Sequence, residues 1–149
     1  MKEWTIDTWV LYRVDEQDFD ALEFLLIVLR QHRVVFDHER KIEQEYQRCL
    51  RRTRNRYLEE WFKRLVSRKA RVFYSSKLDR RHEQALLRLK FDESDFPFVA
   101  VASRSKDKLL VSEDSDYTQQ VCNYLQSQLK VQVLSLAKAL EVSETSRDP

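Results

Sequence analysis

The chain runs for 149 residues without a single glycine. Glycine is the residue that enters left-handed backbone conformations freely and lets a backbone approach a phosphate closely. Its absence excludes the glycine-rich phosphate cradles of both the dinucleotide fingerprint and the P-loop, and with them the nucleotide-cofactor chemistry those cradles serve. Tight turns must be made by Asn, Asp, Ser or Lys instead.

The length fits one domain with a real core. We expect it to span 1–142, with a polar, disordered tail at 143–149. Hydrophobic residues make up 42% and charged residues 35%, as in a globular protein with a heavily charged surface. No apolar run approaches the ~18 residues of a membrane span, so no membrane partner is expected. Met1-Lys2-Glu3-Trp4 lacks the apolar core of a secretory signal. Cys49 and Cys122 form no Cys-x-x-Cys pair and read as small core hydrophobes in a reduced cytoplasm.

Read in order, the chain alternates strands and helices. Trp4-Thr5-Ile6 predicts a strand ending at Asp7, with Val10–Val14 either extending it or forming a loop. Asp18 is placed to cap a helix over Phe19–Gln31. Arg33–Phe36 reads as a second strand. A helix over Glu39–Arg52 follows, with Ile42, Tyr46, Cys49 and Leu50 on its apolar face and Glu45, at i+3, on that same inward face. Another covers Arg56–Ser67. Val72–Tyr74 is a short strand or an extended link, and Asp79–Leu89 is helical with Ala85, Leu86 and Leu89 inward. Asp95 heads a helix whose inward face is Phe98, Val99 and Ala102. Leu109–Val111 is a buried strand, and Asp114 or Ser115 caps a helix to Leu129. Val131–Leu134 is the last strand, and Ser135 caps a helix over Leu136–Leu140. This alternation predicts an α/β fold, a parallel sheet covered on both faces.

Four carboxylates stand out. Asp7 and Asp114 follow strand ends, where open parallel sheets place their sites. Asp95 heads a helix, and Glu45 lies on an apolar helical stripe, where a carboxylate needs a partner or a metal. Each has an ordinary alternative: a loop cap for Asp7, a helix cap for Asp95 and for Asp114 or Asp116, an ion pair with a nearby Arg for Glu45.

The run Asp95-Phe96-Pro97-Phe98-Val99-Ala100-Val101-Ala102, then Leu109-Leu110-Val111 and Ser112-Glu113-Asp114, resembles the signature of PIN-domain nucleases. The opening strand ends in Asp7-Thr8-Trp9, with Trp9 where that family has Asn. Glu45 matches the family's second acidic position. The resemblance spans residues 4 to 140. It implies a three-layer α/β/α fold with strand order 3-2-1-4-5. It also implies a carboxylate site built from Asp7, Glu45, Asp95 and Asp114, with Asp116 as a further ligand and Thr8 and Ser112 as hydrogen-bonding support. Four carboxylates within ~5 Å repel unless cations lie between them. Hard oxygen donors without Cys or His select Mg²⁺ or Mn²⁺. A pair of such ions ~4 Å apart serves phosphodiester hydrolysis. The expected function is therefore metal-dependent cleavage of single-stranded RNA. A small PIN-like nuclease of this kind is expected as the toxin of a toxin–antitoxin pair, with an antitoxin protein or a second copy as partner.

Charge is distributed to match. Residues 48–71 carry ten Lys/Arg against two Asp/Glu, while residues 1–47 are net −5 and 72–149 net −1. Arg48, Arg51, Arg52, Arg54 and Arg56 are the expected nucleic-acid contacts; the plain alternative is a solvated helix face. Among Tyr57, Trp61 and Phe62, core by spacing, one exposed ring would be free to stack on a base. Trp9 is expected in the core, and His32, His38 and His82 at the surface or boundary. Two other functions compete. One is a non-catalytic RNA-binding or scaffold module on the same fold. The other, a phospho-receiver domain, is disfavoured because Asp7 lacks an acidic neighbour and the last strand ends without Lys.

Overall fold

The computed structural model describes residues 1–145. Five strands form one parallel sheet: β1 (Glu3–Ile6), β2 (Arg33–Asp37), β3 (Arg71–Tyr74), β4 (Leu109–Val111) and β5 (Gln132–Leu134). Their order is β3-β2-β1-β4-β5, every pairing parallel. Trp4, Thr5 and Ile6 of β1 are all fully buried, as are Leu110 and Val111 of β4. Continuous apolar runs of this kind mark strands covered on both faces.

The order makes β1 the switch point. From β1 the chain steps outward through β2 to β3, then returns to the far side for β4 and β5. Right-handed crossovers on opposite directions put the connecting helices on opposite faces. The first set is α1 (Thr8–Asp15), α2 (Phe19–Gln31), α3 (Lys41–Thr53) and α4 (Arg56–Ser67). The second is α5 (Arg80–Arg88), a single 3₁₀ turn (Glu93–Asp95), α6 (Phe96–Arg104) and α7 (Gln119–Leu129). The last helix, α8 (Leu136–Thr145), packs back on α2. The three-layer α/β/α arrangement and the 3-2-1-4-5 order are as expected.

Asp18 caps α2 by accepting the Asp20 and Ala21 amides. Trp61 of α4 fixes the α2–α4 contact by donating its indole N–H to the Leu25 carbonyl at 2.9 Å.

Several local readings change. Val10–Val14 belong to α1, because Val10, Leu11 and Val14 together bury one helical face. Val72–Tyr74 is a true strand, paired with β2. Ala85 and Leu89 are only half-buried, while Leu86 is in the core. α7 is capped by the Thr118 hydroxyl, which accepts the Val121 amide, not by Asp114 or Ser115. The expected tail does not begin at 143: α8 continues to Thr145 and Ser143 is fully buried. Residues 146–149 of that tail lie outside the described residues. Two histidines are buried rather than at the surface. His32 Nδ1 accepts the Lys2 amide at 2.9 Å, and its Nε2 bonds the Ser143 carbonyl at 3.1 Å. His82 bonds the Tyr124 hydroxyl at 2.7 Å. His38 is exposed.

Turns without glycine are made chiefly by cationic residues. Gln17, Arg40, Arg54, Lys69, Lys90, Lys108 and Lys130 all have φ between 50° and 66°. None is Asn, Asp or Ser. The left-handed region costs a non-glycine residue about 1 kcal/mol or more.

Candidate active site

Asp7, Glu45, Asp95 and Asp114 line one cleft of about 270 Å³, together with Thr8, Trp9, Tyr12, Arg48 and Arg52. It opens where β1 and β4 end, the crevice at which strand order reverses and open α/β sheets bind ligands.

Asp7 follows β1 directly, and its amide extends the sheet ladder to the Val111 carbonyl at 3.1 Å. Its residue is only 5% exposed. Ser112, one residue past β4, donates its hydroxyl to Asp7 Oδ2 at 2.6 Å. The same Ser112 oxygen accepts the Asp114 amide at 3.1 Å, and Asp114 Oδ1 accepts the Asp116 amide at 3.0 Å. A chain of short-range bonds thus fixes the segment after β4 against the end of β1. Below it, the buried Tyr46 hydroxyl donates to the Ile6 carbonyl.

Burial pushes the Asp7 carboxyl up to about 6. The Ser112 hydroxyl pulls it down, the Asp114 charge pushes it up again, and the Thr8 and Trp9 amides oppose that. Burial also holds Asp95 far above the ordinary carboxylate range, reinforced by the charge of Asp7, by a hydrogen bond to Asp116 and by the charges of Asp116 and Asp114. Asp95 heads α6 yet makes no capping hydrogen bond from its side chain. Its carboxyl is turned toward other carboxylates, and the ordinary capping explanation fails.

Asp37 is the informative contrast. It too ends a strand and is 1% exposed. Its two oxygens each accept an amide at the start of α3, from Lys41 and Ile42, both at 2.9 Å. Asp37 is spent on folding. Glu113 is likewise occupied, accepting the Leu136 amide at 3.0 Å. Asp7, Asp95 and Asp114 share a cleft instead.

Glu45 differs from its expected setting. It stands at the cleft mouth, its side chain 34% exposed, and pairs with Arg48 at 2.7 Å. Position i+3 from Ile42 falls at the edge of the apolar stripe, not within it. Trp9 is not core: it is half-buried in the cleft wall, with the Arg13 guanidinium 5.7 Å from its ring centre. Of the five arginines, Arg48 and Arg52 reach the cleft. Arg51, Arg54 and Arg56 line a neighbouring furrow.

Two hydroxyls escaped or exceeded the sequence reading. Thr8 Oγ1 is buried without a hydrogen-bond partner among the described residues, at the cleft wall. Tyr117 Oη is also buried and unpartnered among the described residues. Burial, and then the charges of Asp7, Asp95, Asp114 and Asp116, keep it protonated. Tyr12 was missed because α1 was not read as a helix; its spacing of four from Thr8 is the signal.

Among the described residues, no three His, Cys, Asp or Glu side chains stand together as a ready-made metal centre. The donor set is still all hard oxygen, and buried carboxylates held above their ordinary range lack the positive charge that would ionise them. Donors of this chemistry fit Mg²⁺ or Mn²⁺. No helix among those residues is long and apolar enough to cross a membrane. No protein-family model, curated protein or solved structure matches the chain.

Proposed function

We propose that the cleft is the site of a metal-dependent endoribonuclease acting on single-stranded RNA. The observation that carries this is the convergence of Asp7, Asp95 and Asp114 from three separate elements onto one cleft, with Arg48 and Arg52 on its rim. The resemblance to PIN-domain nucleases supports the same reading.

Asp7, Asp95 and Asp114 would hold the metal, with Asp116 behind Asp95 and Glu45 at the mouth. Mg²⁺ or Mn²⁺, when bound, supplies an activated water and counter-charge for the leaving oxygen. Ser112 holds Asp7 in one rotamer. Burial and the neighbouring carboxylates hold Asp95 above the ordinary carboxylate range, and it would have to give up its proton to serve as a ligand. The free Thr8 hydroxyl is placed to donate to a phosphate oxygen. Arg48 and Arg52 offset the repulsion between carboxylates and the RNA backbone. Service as the toxin of a toxin–antitoxin pair, held by an antitoxin protein or paired with a second copy, belongs to the same proposal.

Incubation of end-labelled RNA with and without Mn²⁺ tests it. Hydrolysis by water leaves a 5′-phosphate and a 3′-hydroxyl, and a single 2′-deoxy sugar at the cut position is tolerated. Asp95→Asn is expected to abolish cutting while RNA binding persists. Ends carrying 2′,3′-cyclic phosphate, absent from the Asp95→Asn control, would show a different mechanism. Binding without any cutting would instead identify a non-catalytic RNA-binding module.

A further inference from the structure

Beside the cleft, α3 and α4 enclose a furrow of about 970 Å³ lined by Leu50, Arg51, Arg54, Arg56, Glu59, Phe62, Lys63 and Val66, among others. Its floor is apolar. Phe62 is half-buried and Val66 is 43% exposed. Its rim is cationic: Arg51, Arg54, Arg56 and Lys63 are all exposed. Among the described residues none of the four has a carboxylate within ion-pairing distance. Glu59 is the one acidic residue of the lining.

The furrow is joined to the cleft by shared side chains. Arg48 borders the cleft and also a shallow depression along α3 that reaches Arg51. Arg51 borders that depression and the furrow. Arg48 and Arg51, three residues apart, are neighbours on the surface of α3, and Arg54 follows as its left-handed C-cap; the three form a ladder of cations. From Arg48 to Arg51 the rise is roughly 4.5 Å, and Arg54 carries the ladder past the helix end. A stacked strand carries one charge per about 3.4 Å of its axis, so this ladder runs beside more than one nucleotide.

We infer that the furrow is the track on which a single strand leaves the cleft, with an unpaired base seated on Phe62 and the adjoining phosphates on Arg51, Arg54, Arg56 and Lys63. The inference rests on the nuclease reading of the cleft. A ladder of unpaired cations beside a flat apolar floor matches alternating phosphate and base. An acidic peptide would match the charge but has no reason to continue into a carboxylate-lined cleft, which repels it.

The test is fluorescence anisotropy on the full chain, in chelator so that nothing is cut. The probes are fluorescein-labelled oligouridylates of 3 and 10 nucleotides and a 10-nucleotide oligodeoxythymidylate. The longer RNA is expected to bind at least tenfold more tightly than the short one. In an Arg54→Glu, Lys63→Glu variant that advantage is expected to vanish, and the salt slope to fall by at least one. Phe62→Leu is expected to weaken the 10-mer about tenfold with an unchanged salt slope, because stacking is not ionic. The DNA strand is expected to bind within threefold of RNA, since neither contact reads the 2′-hydroxyl. Failure of DNA to bind, or unchanged 10-mer affinity and salt slope in the folded double variant, overturns the track.

A dinucleotide cannot reach the furrow, so its Mn²⁺-dependent cleavage separates the two readings. If it is cut while the double variant binds the 10-mer normally, the furrow inference alone has failed. If nothing is cut but the double variant loses the 10-mer, the furrow stands as a strand-binding track and the nuclease reading fails.

Discussion

The Ser112 hydroxyl reaches Asp7 Oδ2 at 2.6 Å across 105 positions of sequence. With the Asp7 amide–Val111 carbonyl bond it couples the ends of β1 and β4, and it lowers the Asp7 carboxyl against the effect of burial. Ser112→Ala should let Asp7 rise further above about 6. At pH 7 more of it would be protonated and unable to take a cation. Cutting is expected to fall about tenfold at pH 7 and to recover as pH rises, with a stability cost of about 1 kcal/mol. Ser112→Thr should keep the wild-type profile. The rate measured against pH decides, and an unshifted Ser112→Ala profile would disconnect the bond from the chemistry.

In chelator, stability should fall as pH rises through the range about 4 to 6. The folded Asp7 carboxyl sits at about 6 against an ordinary 3.8. Within that window the folded state keeps a proton that the unfolded state has lost, so raising pH favours unfolding. The loss is of order 3 kcal/mol, complete above the folded value. Asp95, raised still more, extends the decline to higher pH. Asp7→Asn removes its part, and urea midpoints between pH 4 and 7 should flatten accordingly. Midpoints that climb through this window would contradict the burial of Asp7 without a counter-charge.

A divalent cation should reverse that penalty. An ion that binds only the folded state at a hundredfold excess over its Kd adds about 2.7 kcal/mol. For a domain of this size that is a rise of about 5–10 °C in Tm. Asp7→Asn combined with Asp114→Asn should melt at nearly the same temperature with and without Mn²⁺. Equal melts for wild type in chelator and in millimolar Mn²⁺ would sink the metal site.

Lys130 closes α7 at φ 60°. Its side chain makes only a 3.5 Å contact with the Ser127 carbonyl. Relief of left-handed strain favours glycine there by about 1 kcal/mol, less the extra freedom glycine gives the unfolded chain. Lys130→Gly should therefore leave thermal stability unchanged or raise it, whereas Leu125→Gly, in the buried interior of the same helix, should lower it by several kcal/mol. A Lys130→Gly variant that melts well below wild type would show that the lysine side chain stabilises this turn.

The sequence by itself determined the layers, while the order of the sheet was an expectation carried by the resemblance to PIN-domain nucleases. Runs such as Leu109-Leu110-Val111 are buried on both sides wherever a parallel sheet holds them, and the periodicity of α3 and α4 names their inward faces without any partner in view. It also placed Asp7 and Asp114 at strand ends, because a strand's end is a local property. Tertiary structure alone decided which strand-end carboxylates were left over. Asp7 and Asp37 look alike in sequence, yet Asp37 is consumed by the amides of α3 while Asp7 faces Asp114. The same holds for Glu45, turned to Arg48 at the rim, and for His32 and His82, whose partners lie 111 and 42 positions away. Burial of a polar group is tolerated only where a partner waits, and a partner brought by the fold leaves no trace in the residues beside it.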